Sequence, residues 1–426
     1  MKDSGIEWIG DIPENWEVMH HKRVMKKIKN ICEKYRGEDI LSLTMRGVLK
    51  RDLENPKGKM PATFDGYQRV EEGNLLMCLF DIDVTPRCVG LIENNGLTSP
   101  AYSQFKLINN NNEKYYDYLL RMIDNDKCFL HLSKNLRSSL TETDFGMIKT
   151  IVPPIEEQKR IAEYLDKKVN EIDETIQKSK ISIDEYKQYK KSLISEIVTK
   201  GLSKNIEMKN SDIEWIGKVP KHWNLIKMKY IGELDSAGVD KKIRDGERLY
   251  KSIHYTDVYK GSLKQIGGNE DYLVISATDD KYSKCMLNKG DVLFTNSSET
   301  PDDMGHSTVI RENLEDTLFG YHLMRFRPKI EMCLEYQKYL FGADYMRTWF
   351  EYCANGITRY GITSSVFENA IIILPPIEEQ KLNAMFLDEK CLEIENLINK
   401  KEQLIIELEN YKKSLIYECV TGKKEI

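Results

Sequence analysis

Basic and polar side chains gather in turn-like stretches at several places along the chain. Thr44, Arg46, Lys50 and Arg51 lead into Lys57 and Lys59, with Arg69, Arg87 and Arg137 further on. Lys241, Lys242, Arg244 and Arg248 form a second group, followed by Lys251, His254 and Tyr255. Later come Asn296, Ser297 and Ser298, and the run Thr358-Arg359-Tyr360. Arg and Lys neutralise phosphates, while Arg, Asn and Ser hydrogen-bond base edges, so the chemistry these types point to is contact with nucleic acid. A solvated, charge-rich surface is the plainer reading of any one of them taken alone.

Residues that would break or make covalent bonds are harder to find. The sequence has no GxxxxGK phosphate loop, no GxGxxG, no HExxH and no GxSxG elbow. Its seven His are scattered, and its nine Cys form no CxxC pair and no zinc spacing. The two Pro-Pro pairs are preceded by Val152 and Leu374, not by the Asp or Asn that a base-methylating site would need. These absences favour a binding module over an enzyme, and no metal or cofactor site is expected in the chain itself.

The elements that must position the basic groups come in two copies. Ile6-Glu7-Trp8-Ile9-Gly10, with Pro13 and Trp16, returns as Ile213-Glu214-Trp215-Ile216-Gly217, with Pro220 and Trp223. Pro153-Pro154-Ile155-Glu156-Glu157-Gln158-Lys159 returns as Pro375-Pro376-Ile377-Glu378-Glu379-Gln380-Lys381. Arg137, Leu140, Thr141 and Phe145 match Arg359, Ile362, Thr363 and Phe367 at the same offset. The chain is therefore two copies of one unit, each a globular domain followed by a helix. The expected boundaries are 1–150 and 205–372 for the globular domains, and 151–204 and 373–426 for the helices. Within the domains, short β-type runs such as 74–80 and 102–107 alternate with Gly- and Asn-rich turns, and 114–131 and 331–350 have helical spacing. The fold class is mixed α/β.

Both helical stretches carry a heptad seam. In the first it runs Leu165, Val169, Ile172, Ile176, Ile183, Tyr186, Leu193 and Ile197, with Ser179 and Lys190 in the gaps. The second reads Leu387, Cys391, Ile394, Ile398, Ile405, Leu408, Leu415 and Cys419, with Lys401 and Lys412 in the gaps. Proline is tolerated only in the first turn, which sets the starts, and the Glu pairs suit the positive end of the helix dipole. Two stripes of matched length and register are expected to pack on each other. A two-fold axis across the seam makes the pair antiparallel; a parallel pair and a homodimeric coiled coil are the structural alternatives. The same symmetry places Val420-Thr421-Gly422 near the first Trp block.

At 426 residues there is room for two domains, and 41% hydrophobic with 31% charged residues suits a folded chain with long exposed helices. No apolar run reaches the roughly 18 residues of a membrane span. The first residues do not begin a signal peptide, and the unpaired cysteines read as free thiols in a reducing compartment. A net charge of −5 neither supports nor excludes nucleic-acid binding.

Taken together, the I-E-W-I-G-x-x-P-x-x-W blocks, the Pro-Pro-Ile-Glu-Glu-Gln blocks and the R-x-x-[LI]-T-x-x-x-F approach to each resemble the specificity subunits of type I restriction-modification systems. The resemblance spans essentially the whole chain. It implies two target-recognition domains, each reading one half of a split double-stranded DNA site, separated by an intramolecular antiparallel coiled coil. It also implies docking of two methyltransferase (M) subunits, which bind S-adenosylmethionine and methylate adenine N6. Restriction (R) subunits would supply ATP- and Mg-dependent translocation and cleavage, in the cytoplasm of a bacterium or archaeon. The chain itself would be non-catalytic. A coiled-coil scaffold tethering two protein-binding domains without DNA is the alternative from another class, and a nuclease or methylase with diverged motifs is a third.

Overall fold

In a computed structural model that describes residues 1–56, 60–133, 138–261 and 263–426, the chain divides into two compact units. Unit 1 joins Met1–Lys180 to Glu402–Ile426, and unit 2 is Ile181–Lys401. Each therefore holds one globular domain and a part of both long helices. No helix among the described residues is long and apolar enough to cross a membrane.

Unit 1 is built on an antiparallel four-stranded sheet in the order Met25–Ile28, Ser103–Leu107, Leu75–Met77, Val89–Leu91. A hairpin of Leu41–Thr44 and Gly47–Lys50 forms its own two-stranded sheet and packs on the larger one through Leu41, Val48 and Leu76. Helix α1 (Glu113–Asn125) buries Tyr115, Tyr116, Leu119, Leu120 and Ile123 against the core. The helical spacing over 114–131 is broken in the structure. Lys127 takes a left-handed φ of 53°, and a separate turn, Cys128–Leu132, follows. Glu17–His20 then pairs with Lys149–Val152, which delivers the chain to helix α2 (Ile155–Lys200).

Unit 2 repeats the frame and enlarges what it carries. Asn224–Lys227 pairs with Ile371–Leu374 in the same antiparallel register as its counterpart. Between these strands lie a five-stranded and a four-stranded sheet, each with one parallel pairing. The helical spacing over 331–350 resolves into α3 (Leu334–Phe341) and α4 (Asp344–Cys353). They part at Gly342, where a Cβ would lie 2.3 Å from the Leu263 side chain. The second long helix, α5, is Ile377–Val420.

The long helices, of 46 and 44 residues, would each extend roughly 65–70 Å at about 1.5 Å per residue. In unit 1, Lys412 reaches Asp173 at 2.5 Å and the Lys424 ammonium lies over the Tyr164 ring, so α5 runs antiparallel to α2. In unit 2 the sequence-equivalent pair, Lys190 and Glu395, meets at the same 2.5 Å. Leu165, Ile172, Ile176, Ile183, Ile197, Leu387, Cys391, Ile394, Ile398, Leu415 and Cys419 are buried, and Ser179 with them. Val169, Tyr186, Leu193, Ile405 and Leu408 are half-buried, as are Lys190, Lys401 and Lys412. Lysine stems can pack in such a seam while their charges reach carboxylates or water.

Candidate nucleic-acid interface

The duplicated motifs are structural joints built around Trp16, Glu157 and Gln158 in one copy and Trp223, Glu379 and Gln380 in the other. Trp16 and Trp223 are fully buried, and their indole N–H groups donate to Glu157 and Glu379 at 2.7 and 2.9 Å. Those carboxylates thus pair an orphan donor besides favouring the helix N-terminus. Gln158 and Gln380 are buried too. Their amides donate to the carbonyls of Pro153 and Pro375 at 2.9 Å each. Their carbonyl oxygens accept from the backbone N–H of Asn112 and of Cys333, at the starts of α1 and α3. Tyr118 and Tyr339 complete the joint by donating to Asp166 and Asp388.

The far ends of the helices close on the same tryptophans. Gly422 (φ +69°) abuts Pro13 and Trp16, where a Cβ would come within 2.6 Å of the proline ring. Gly201 (φ +73°) abuts Trp223, where a Cβ would come within 2.9 Å of the indole. Tyr115 donates to the carbonyl of Val420 at 2.8 Å, and Lys423 to that of Ile9. The end of the second helix thus lies at the first Trp block, as the symmetry requires.

With the frame fixed, the basic residues fall into distinct classes. Several arginines pair with carboxylates of the same chain, Arg87 at a buried one and Arg69, Arg244 and Arg248 at partly exposed ones. Arg69 pairs with Glu38 at 2.8 Å and Arg87 with Asp124 and Asn125. Arg244 pairs with Asp240 at 2.6 Å, and Arg248 makes two bonds to Asp316 while lying over Tyr250. Lys50 is an exposed pair with Asp39. His254 was expected among the contacting groups, but it is only 2% exposed. It sits under Gly320, where a Cβ would be 2.1 Å from its Nδ1, and burial lowers its pKa. It cannot meet a ligand from that position; it anchors the turn through its backbone N–H to Asp257. Lys57, Lys59 and Arg137 lie outside the described residues.

Two places keep polar residues together and outward, apart from Ser298, which was expected to contact a ligand but is 4% exposed with its Oγ directed to Asp303. In unit 1, Thr44 and Arg46 form the tip of the 41–50 hairpin. Thr44 donates to the carbonyl of Gly47 at 2.9 Å and accepts from the Arg46 N–H. Arg51 leaves the hairpin with its backbone N–H on Ile40. In unit 2, Ser297–Ser298, Tyr360–Gly361 and Asn355–Gly356 form a three-stranded sheet, with Thr358 and Arg359 at the exposed tip. Arg359 donates to Ser297 Oγ at 3.2 Å, and the carbonyl of Asn296 accepts from Ile362. Tyr255 stacks on Tyr259 nearby; burial pushes its phenol up, and a hydrogen bond with Ser298 partly opposes that. Burial lowers the His322 imidazole, and the positive charges of Arg359 and Lys241 lower it further, so those cations share one neighbourhood. Lys242 and Lys251 are exposed on the strands and turns of the other sheet.

Comparison with known proteins bears on what this frame is. Residues 89–184 and 220–409 match the family model of the type I restriction modification DNA specificity domain. The chain belongs to that specificity family. It is 26% identical over 283 residues to the type I restriction enzyme MjaVIII specificity subunit of Methanocaldococcus jannaschii, covering 66% of this chain and 63% of that relative. The putative MjaX specificity subunit of the same organism is 23% identical over 451 residues, covering 97% of this chain and 95% of the relative. A chain from a solved type I R-M system shares the fold with a TM-score of 0.72 at 13% identity, over 97% of this chain and all of that one. Specificity subunits are non-catalytic.

Proposed function

We propose that this specificity subunit binds double-stranded DNA at a bipartite site, one half-site per globular domain, on behalf of a type I restriction-modification complex. The observation that carries the reading is the contrast between joint and surface. The Trp–Glu, Gln–Pro and Tyr–Asp joints are duplicated contact for contact, while the strands that carry the exposed polar tips differ between the units. A protein that presents two different sequences to one kind of partner needs this division of labour. The partners are two methyltransferase subunits docked on the long helices, together with restriction subunits. S-adenosylmethionine, ATP and Mg belong to those subunits. In this reading the complex works in the cytoplasm of a bacterium or archaeon.

The net charge of −5 fits that sharing, because a chain that releases few counterions by itself relies on its partners for phosphate contact. Sedimentation of the purified chain with its neighbouring methyltransferase tests it. Two methyltransferases per chain, with DNA affinity that falls steeply with salt, are expected; a complex without DNA affinity would favour the scaffold reading.

A further inference from the structure

The two exposed tips share a composition although they occupy different places in the fold. In unit 1 the hairpin turns through Thr44-Met45-Arg46-Gly47, and Met45 is 60% exposed. In unit 2 it turns through Gly356-Ile357-Thr358-Arg359, and Ile357 is 94% exposed, the most exposed large apolar side chain among the described residues. Each tip thus holds one aliphatic residue, a threonine, an arginine and a glycine with φ above +100° (Gly47 at +113°, Gly356 at +156°). The positive φ in each turn falls on its glycine and not on Met45 or Ile357, so the turn geometry does not require an apolar side chain there, and such a side chain gains nothing from the fold. Neither Met45 nor Ile357 belongs to any core cluster of its unit.

Both ribbons are held from below. Thr44 bonds both sides of its own turn. The second ribbon is braced by Ser297–Ser298 as a third strand, by the Arg359–Ser297 bond and by Ile362, which is buried in the unit 2 core. A Cβ on Gly356 would fall 2.1 Å from the carbonyl oxygen of Arg359, so the tight turn depends on that glycine. A two-stranded ribbon fits the major groove of B-DNA, where the C5-methyl of thymine is the one apolar group on a base edge.

We propose that Met45 and Ile357 are specificity residues: each is the tip of a β-ribbon that enters the major groove and packs on a thymine methyl of its own half-site. The inference rests on the DNA-recognition reading above. The test is methylome sequencing of a methylation-free host expressing the neighbouring methyltransferase with the wild-type chain, with Ile357→Ala or with Met45→Ala. Each variant is expected to relax one A·T position in one half-site and leave the other half-site unchanged, the two variants acting on opposite halves. An unchanged motif, relaxation of both halves by one variant, or relaxation at a G·C position would overturn it. A wild-type chain that yields no motif would instead defeat the recognition reading itself.

A variant that abolishes methylation altogether is decided by the wild-type complex. Duplexes carrying deoxyuridine in place of each half-site thymine remove one methyl at a time. Losing one apolar methyl contact should weaken binding about fourfold at one thymine per half-site. No sensitivity at any thymine would overturn the proposal.

Discussion

Glu157 and Glu379 each satisfy an indole N–H that would otherwise be buried without a partner. Glu157→Ala should therefore destabilise unit 1 by about 1–3 kcal/mol, the cost of an orphaned buried donor. Combining it with Trp16→Phe should cost less than the sum of the two changes, because phenylalanine has no donor to orphan. Thermal unfolding of the four chains checks this; strict additivity would contradict it. A second residue marks a difference between the copies. His21 is fully buried, and desolvation lowers its pKa from 6.5 to about 4, whereas its counterpart in unit 2 is the buried Met228. The folded state holds this ring neutral, so the stability it permits is complete above pH 6.5. Below that the unfolded chain gains the proton first, and stability falls until about pH 4, by about 3 kcal/mol in all. His21→Met should flatten that acid limb in urea melts of unit 1; an unchanged pH dependence would contradict the assignment.

At the scale of elements, the long helices were the most legible feature, because the double prolines fix their starts and the heptad seam fixes their faces. What the seam could not show is direction, which depends on pairs such as Lys412–Asp173 between residues far apart in sequence. Periodicity also overran two shorter helices, since a left-handed Lys127 and a close contact at Gly342 leave no trace in apolar spacing. The basic clusters were legible as clusters only. Whether an arginine has a carboxylate beside it depends on residues elsewhere in the chain, as with Arg248 and Asp316 or Arg69 and Glu38. The apolar tips Met45 and Ile357 are not legible in the sequence, because an isolated apolar residue beside a turn carries no signal there. The half-buried seam lysines invite a direct test. Replacing Lys190 and Lys412 by Leu removes two exposed-to-half-buried ion pairs, worth about 0–1 kcal/mol each, and extends the apolar seam. Unfolding should shift to higher temperature; a lower midpoint would show that the Lys–carboxylate pairs, not seam packing, dominate there.

The whole molecule is a duplicated scaffold that carries two unlike surfaces, and its predictions concern DNA sites. Exchanging the globular domain of unit 1 for that of a relative, with the cut placed at the Trp and Pro-Pro joints, should change one half of the recognised sequence and leave the other intact. A change in both halves would mean that the domains do not read independently. The measurement that tests the central claim most directly is the methylome of a methylation-free host that expresses the neighbouring methyltransferase with and without this chain. A split motif with N6-methyladenine on both strands, present only when the chain is present, is the predicted result. A stable complex with no motif, or the same motif without the chain, would contradict it.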